Sequence, residues 1–302
     1  MIIVFGSINM DLVTRAPRLP AAGQTISGTD FATIPGGKGA NQAVACAKLG
    51  IPTAMVGRVG DDVFGDALRA SLVNYGVDVS AVERSAGPSG VAAIAVDERG
   101  ENTIVVVPGA NGLVGEDDIA RLETLLPRAE VLLLQLEVPL EAVLAAARAA
   151  RAHGVTVILD PAPARELPPE IYPLIDIITP NETEATELVG FLVRDAASAG
   201  RAGAALLARG VGAAVIKAGG SGAYLVTRQG MEHLPVFSVV PVDTVAAGDA
   251  CNGGLAAGLA EGMTLPAALR LGMATAAIAV TRHGAQPGMP SRAEVDALIR
   301  AR

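Results

Sequence analysis

Two acids bracket a run of small residues in Asp243-Thr244-Val245-Ala246-Ala247-Gly248-Asp249. An apolar, helix-periodic stretch follows, so Gly248–Glu261 is predicted as a helix with Asp249 in its first turn. A helix start presents unpaired N–H donors and a partial positive charge, which suits a phosphoryl group. Small side chains at 246–248 leave those donors unobstructed. Asp249 is then either a plain helix cap or a carboxylate able to take a proton from an attacking hydroxyl. The second acid and the small residues between favour the proton acceptor.

Two further segments carry polar groups at ligand-like spacing. Gly36-Gly37-Lys38-Gly39-Ala40-Asn41 leads into a helix candidate, Ala40–Leu49. Glycine backbone can approach a ligand closely, and Lys38 and Asn41 offer donors and an acceptor for sugar hydroxyls. Gly6-Ser7-Ile8-Asn9-Met10-Asp11 follows an apolar run, Ile2–Phe5. That places Asn9 and Asp11 at the carboxyl edge of a strand, where open α/β sheets bind ligands, two residues apart and fit for a vicinal diol. Taken singly, the first is also an ordinary glycine turn and the second an Asx-type turn.

Other chemistries lack their residues. Lys38 is followed by glycine, so there is no G-x-x-x-x-G-K-[ST] loop, and Phe5-Gly6-Ser7 offers one glycine where a dinucleotide fingerprint needs three. His153, His233 and His283 show no H-E-x-x-H spacing, and no G-x-S-x-G elbow occurs. Cys46 and Cys251 stand far apart with no C-x-x-C, which excludes a readable zinc site or disulfide framework. A formal charge of -8 gives no global attraction for nucleic acid or an anionic membrane. No apolar run reaches membrane-spanning length, and Met1–Gly6 lacks the basic flank and apolar length of a signal peptide. These features lead us to expect a soluble, cytoplasmic protein.

The elements that must position these residues alternate. Ile2–Phe5, Thr53–Val56, Val131–Leu134, Thr156–Leu159, Ile175–Thr179 and Ala213–Lys217 are nearly all-apolar strand candidates. Between them lie helix candidates at Asp66–Tyr75, Leu140–His153, Glu182–Val189 and Arg201–Arg209, and Leu265–Arg282 and Ser291–Arg300 follow in the last third. The rhythm predicts an α/β fold: a doubly wound, mostly parallel sheet flanked by helices, as one domain over residues 1–302. Thr25–Pro35 and Ser89–Pro108 break the rhythm with strand character and no crossover helix. They are predicted to form a small β-sheet lid, with strands drawn from about 11–35 and 89–108 and Ile94 in its interior. A sheet so small leaves an apolar face to cover, so a homodimer through it is expected.

Taken together the motifs resemble the PfkB family of carbohydrate kinases. GSINMD, GGKGAN, GENTIVVVPGANG, QLEVPLE, PAPARELP, DIITPNETEA, VIKAGGSGAYL, DTVAAGD and AAIAVTRHGAQP occur in family order over nearly the whole chain. GGKGAN and DTVAAGD are the two family signatures. PAPARELP and the AVTRHGAQP tail are similar to the members that phosphorylate ribose.

The resemblance implies transfer of phosphate from ATP to O5 of D-ribose, giving ribose 5-phosphate and ADP. Relatives acting on deoxyribose, another sugar or a nucleoside, and a non-catalytic sugar-binding relative, are the alternatives. Asp249 matches the catalytic base, and Ala246, Ala247 and Gly248 the anion hole. Asn9, Asp11, Gly37, Lys38, Gly39, Ala40, Asn41 and Glu137, with Asp249, match sugar-binding positions. Asn181, Lys217, Ala218, Gly219, Gly220, Ser221 and Gly222, with Gly248 and Asp249, match the nucleotide site. Asn181 with Glu184 reproduces an N-x-x-E feature, Glu184 acting on Mg²⁺ through water. Asp243, Val245, Ala279, Arg282, Gly284 and Gly288 match a loop that holds K⁺, mostly through carbonyls. Three positions depart from the family: Met273 stands where a histidine often flanks adenine, Gly288 replaces a hydroxyl residue, and Lys217 stands where threonine is common. Its ammonium is expected to reach a nucleotide phosphate.

Overall fold

The structure, a computed structural model, describes residues 1–301. In chain order it begins β1 (Ile2–Phe5), β2 (Asn9–Arg15), β3 (Asp30–Gly36), α1 (Lys38–Lys48), β4 (Thr53–Gly60), α2 (Val63–Asn74) and β5 (Asp78–Ser85). The hairpin β6 (Gly90–Val96) and β7 (Asn102–Val107) leads through a 3-10 turn, Gly109–Leu113, to α3 (Glu116–Leu125). Then come β8 (Val131–Leu134), α4 (Leu140–Ala152), β9 (Thr156–Leu159), β10 (Ile177–Ile178), α5 (Glu182–Val189), α6 (Ala196–Ala208) and β11 (Ala213–Lys217). The chain closes with β12 (Ala223–Thr227), β13 (Gly230–Leu234), α7 (Ala247–Ala260), α8 (Leu265–Ala279), α9 (Ala285–Gly288) and α10 (Arg292–Arg300).

Nine strands form the main sheet in the order β13-β12-β11-β10-β9-β8-β1-β4-β5. Neighbours from β11 to β5 run parallel, and β12 and β13 are added antiparallel. The chain winds from β1 out to β5, then returns past β1 to β8 and out to β11, so β1 and β8 flank the topological switch point. Side chains of each central strand alternate between two cores. Ile2, Val4, Val131 and Leu133 join the core under α1, α7 and α8, while Ile3, Phe5, Leu132 and Leu134 join the core under α4 and α6. This two-sided burial explains why these strands are continuous apolar runs.

The small sheet has the order β3-β2-β6-β7. β2 pairs antiparallel with β3 and parallel with β6, and β6 and β7 form a hairpin within the predicted lid segment. Ile94 is half-buried and stands in register with Val13 and Ile104, on the face that carries Asp11. Val105 and Val107 lie on the opposite face and are exposed.

Several boundaries differ from expectation for local reasons. The predicted strand 175–179 shrinks to Ile177–Ile178, because Ile175 closes a 3-10 turn and Thr179 already leads to the Asn181 cap. α6 begins five residues before the predicted Arg201, where Asp195 caps Ser198 N–H. α2 begins at Val63, capped by Asp62 onto Gly65, and α8 stops at Ala279 rather than Arg282. α3, β5 and the hairpin β12–β13 were not expected; α3, β5 and β13 are more polar and half-exposed, so their apolar signal is weak, whereas β12 is apolar and buried.

Candidate active site

The site lies along the carboxyl edge of the main sheet, at the switch point and under the small sheet. Most of its polar groups stand at or just beyond the end of a buried strand or in the first turn of a helix. Ser7 and Asn9 follow β1, Gln135 and Glu137 follow β8, Asp160 follows β9, and Lys217 ends β11.

Asp249 occupies the first turn of α7 and is 5% exposed. Its Oδ2 accepts from Asn41 Nδ2 at 3.0 Å and its Oδ1 from Gln42 Nε2 at 3.1 Å, so α1 supplies both restraints. α1 and α7 can approach this closely because α7 carries glycine where they meet: a Cβ on Gly253 would stand 2.4 Å from that of Ala45. Ala246, the N-cap of α7, has φ 58, the left-handed region that costs an alanine about 1–3 kcal/mol. The turn aims the start of α7 into the cleft. Among the described residues no carbonyl accepts from the N–H groups of Ala246, Gly248 or Asp249, whereas Ala247 N–H already reaches Thr244 O at 3.3 Å. Burial pushes the Asp249 carboxyl up to about 6; Lys38 pulls it down and Asp160 adds to the rise.

The segments of 6–11 and 36–41 meet as expected. Asn9 pairs with Gly36 across β2 and β3, and a Cβ on Gly37, whose φ is 89, would strike Asn9 N at 2.6 Å. A Cβ on Gly39 would likewise fall 2.7 Å from Ser7 N. Glu137 gathers this corner: its Oε2 accepts from Ser7 Oγ at 2.6 Å, Lys38 N at 3.2 Å and Asn9 Nδ2 at 3.4 Å. Asp11 lies against Gly36 and faces Glu137 and Asp249 electrostatically. Burial, then those two carboxylates, push its carboxyl up to about 7. Burial pulls Lys38 down, but Asp249, Asp160, Glu137 and Glu184 together outweigh it and hold the ammonium charged. Ala40 is fully buried and donates its N–H to Ser7 O, so it contributes backbone rather than side chain.

On the other flank, Asn181 caps α5 and forms a reciprocal box with Glu184. Burial raises the Glu184 carboxyl, opposed by Lys217. Lys217 pairs with Asp160 Oδ1 at 3.0 Å, and its Nζ would stand 3.3 Å from a Cβ on Gly248. Ala218 to Gly222 turn β11 into β12, and a Cβ on Gly219 or Gly220 would meet nothing within 4 Å, so this loop opens outward. Met273 is 8% exposed, on the core side of α8.

The predicted cation loop also comes together. Asp243 Oδ1 accepts from Val245 N at 3.0 Å and Oδ2 from Gly284 N at 2.9 Å, tying residues 243–245 to the chain after α8. A Cβ on Gly288 would stand 3.4 Å from Ala279 O and 3.8 Å from Arg282 O, so two carbonyls converge where Gly288 leaves room. Paired carbonyl oxygens of this kind are hard donors that a cation can take.

Four residues of this network were not anticipated. Gln42, Gln135 and Asp160 are buried at 0–1% and joined: Gln135 Nε2 donates to Gln42 Oε1 at 2.6 Å, and Gln42 Nε2 to Asp160 Oδ2 at 3.1 Å. Asn111, in the turn after β7, accepts from Ile8 N at 2.9 Å and donates to Ile8 O at 3.1 Å and Asn9 Oδ1 at 2.7 Å. It thereby turns the Asn9 amide so that Nδ2 faces Glu137. A usable signal existed for two of them: Gln135 and Asp160 each directly follow a run of buried apolar strand residues.

A carboxylate held by two amides at an anion-accepting helix start is built to move a phosphoryl group onto an alcohol, and on this doubly wound fold it defines a small-molecule kinase. The chain belongs to the pfkB family of carbohydrate kinases, whose family model matches residues 1–292. It is 41% identical to a ribokinase of Haemophilus influenzae over 293 residues, 96% of this chain and 95% of that one. It is 38% identical to a deoxyribokinase of Salmonella typhi over 292 residues, again 96% and 95%. The structure of an Arabidopsis thaliana ribokinase complexed with ribose and ATP superposes with a TM-score of 0.91 at 34% identity, covering 99% of this chain and 98% of that one.

Proposed function

We propose that the protein phosphorylates D-ribose at O5 with ATP, releasing ribose 5-phosphate and ADP. The observation that carries this reading is the Asp249 carboxylate, gripped by Asn41 and Gln42, at the first turn of α7 beside unpaired N–H groups. Asn9, Asp11, Asn41, Lys38 and Glu137 stand around it as sugar contacts. Asn41 Oδ1 is buried with no partner among the described residues, an acceptor suited to a hydroxyl donor.

Transfer to an alcohol through a loose transition state asks for alignment and charge stabilisation more than for a strong base. Asp249 orients the O5 hydroxyl and takes its proton late, worth roughly 10²–10⁴ in rate. The N–H groups at the start of α7 receive the equatorial oxygen charge, with Gly248 and Ala246 better placed than the engaged Ala247. The nucleotide lies over Asn181 and the outward-opening turn 218–222, with Met273 covering the base side.

The family's ATP chemistry uses a divalent metal. Glu184, set in the first turn of α5, would hold Mg²⁺ through water, and the ion would supply charge neutralisation at the phosphates. Asp243 with the carbonyls of Val245, Ala279, Arg282 and Gly284, beside the gap at Gly288, would hold K⁺, which would order the 243–249 turn. The four-stranded sheet acts as lid and, through its exposed apolar face, as the surface of a homodimer in the cytoplasm.

A coupled ADP-release assay over ribose, deoxyribose, other pentoses, fructose and nucleosides tests the reading. Ribose should give the highest kcat/KM. A panel in which deoxyribose or a nucleoside wins by tenfold or more, or in which no sugar releases ADP, overturns it.

A further inference from the structure

Asp160 follows β9 at 1% exposure and serves two partners at once. Its Oδ1 holds Lys217 Nζ at 3.0 Å. Its Oδ2 accepts from Gln42 Nε2 at 3.1 Å, and the same nitrogen donates to Asp249 Oδ1 at 3.1 Å. One amide nitrogen thus divides its two hydrogens between two buried carboxylates. Gln135 Nε2 fixes the other end of that amide at 2.6 Å. A flipped Gln42 would face both carboxylates with an oxygen and lose all three bonds, so the amide has one stable setting.

Lys217 sits in an unfavourable place for a lone cation. Its Nζ stands against Gly248 in the first turn of α7, where the helix dipole is positive. Burial disfavours its charge, and Asp160, with Glu184 facing it, outweighs that cost. Lys38 is the cation that faces Asp249. Lysine at 217 therefore needs a carboxylate at 160, and a carboxylate buried at 160 needs a cation at 217.

We propose that Asp160 and Lys217 act as one charge-neutral positioning unit that fixes the Gln42 amide and, through it, aims the Asp249 carboxylate at the acceptor hydroxyl. The inference rests on the kinase reading above. Asp160 touches neither substrate, since Gln42 stands between it and Asp249. Loss of the unit therefore falls on kcat, while the sugar contacts of Asn9, Asp11 and Glu137 remain.

The test uses Asp160→Asn, Lys217→Thr and the double variant, with ATP and ribose turnover, ribose Kd by calorimetry without nucleotide, and thermal melting. Each single variant should lose at least about tenfold in kcat, because it leaves one buried charge unpaired. The double variant should lose no more kcat than the worse single variant, rather than the product of the two losses, since the pair is neutral again and the introduced amide's Oδ1 still accepts from Gln42. Ribose Kd should stay within about threefold throughout, which a general loss of structure would not allow. Multiplicative losses in the double variant overturn the proposal and mark Lys217 as an independent nucleotide contact. So does an Asp160→Asn enzyme with parental kcat. Should melting show Asp160→Asn unfolded, Gln42→Met cuts the same link without touching a charge; undiminished kcat there refutes the proposal. Absence of turnover in the parent protein would instead sink the ribose reading.

Discussion

Asp249 shows how a common aspartate becomes a specific tool. Burial raises it to about 6, while Asn41 and Gln42 keep both oxygens in place. It is ionised at neutral pH and still far too weak to strip a free alcohol, which fits a late proton acceptor. Asp249→Asn keeps shape and one acceptor but no basicity; kcat should fall by roughly 10²–10⁴ with ribose affinity nearly unchanged. Calorimetry beside a steady-state assay checks it, and retention of more than about a tenth of parental kcat refutes the base assignment. Asp11 carries a second prediction. Its carboxyl lies at about 7 in the free protein, raised by burial and by Glu137 and Asp249. A raised acid favours the folded state at low pH, and that contribution is lost as pH climbs from about 4 through 7. Asp11→Asn should therefore flatten the fall in melting temperature over this window. If sugar hydroxyls donate to the ionised Asp11, ribose binding near pH about 6.5 releases a proton. Titration in two buffers of different ionisation enthalpy measures that release, and identical heats would contradict it. Residues of this kind were legible because GGKGAN and DTVAAGD cluster small residues and polar groups locally. Gln42, Gln135, Asp160 and Asn111 were not: each bonds across at least 90 residues of chain, and nothing adjacent in sequence marks the partner.

At the scale of elements, the buried strands β1, β8, β9 and β11 agree with expectation to the residue, because burial on both faces leaves an unbroken apolar signature. Of the elements that escaped notice, α3, β5 and β13 mix polar with apolar positions, while β12 is itself an apolar run buried on both faces. The turn before α7 joins the two scales. It is strained at Ala246 and tied to the chain after α8 through Asp243, by bonds to Val245 N and Gly284 N. Whatever tightens residues 279–288 therefore tightens the first turn of α7. A large monovalent ion between the Ala279 and Arg282 carbonyls would do this, so turnover should rise with K⁺ and less with Na⁺. Both kcat and the KM for ATP should respond, because the same turn is the one proposed to receive the phosphates. Equal rates in K⁺ and in tetramethylammonium at matched ionic strength would remove the cation from the scheme.

The whole molecule leaves one surface unaccounted for. β7 ends the small sheet, and Ile104, Val105, Val106 and Val107 are 51, 60, 47 and 52% exposed. Phe31, on β3 across the same sheet, is 60% exposed. Val105, Val106 and Val107 are thus not packed onto the protomer's own α/β body. An apolar edge strand open to solvent invites pairing or burial. Asp11, Ile94, Ile104 and Val106 share the face that looks onto the site, while Val105, Val107 and Phe31 share the other. A second copy of the chain, meeting it through a twofold contact, would cover this second face with the same residues on both sides. Light scattering at micromolar concentration should give twice the chain's 30.4 kDa. Val105→Lys places two like charges across the twofold and should release monomers, whereas Ile94→Lys, on Asp11's face, should weaken ribose binding first. Because β2 carries both Asn9 and Asp11 and is hydrogen-bonded to β6, a monomeric variant should also bind ribose less tightly, with its KM rising more than its kcat falls. A mass near 30.4 kDa for the parent protein, unchanged by ribose, would rule out the dimer.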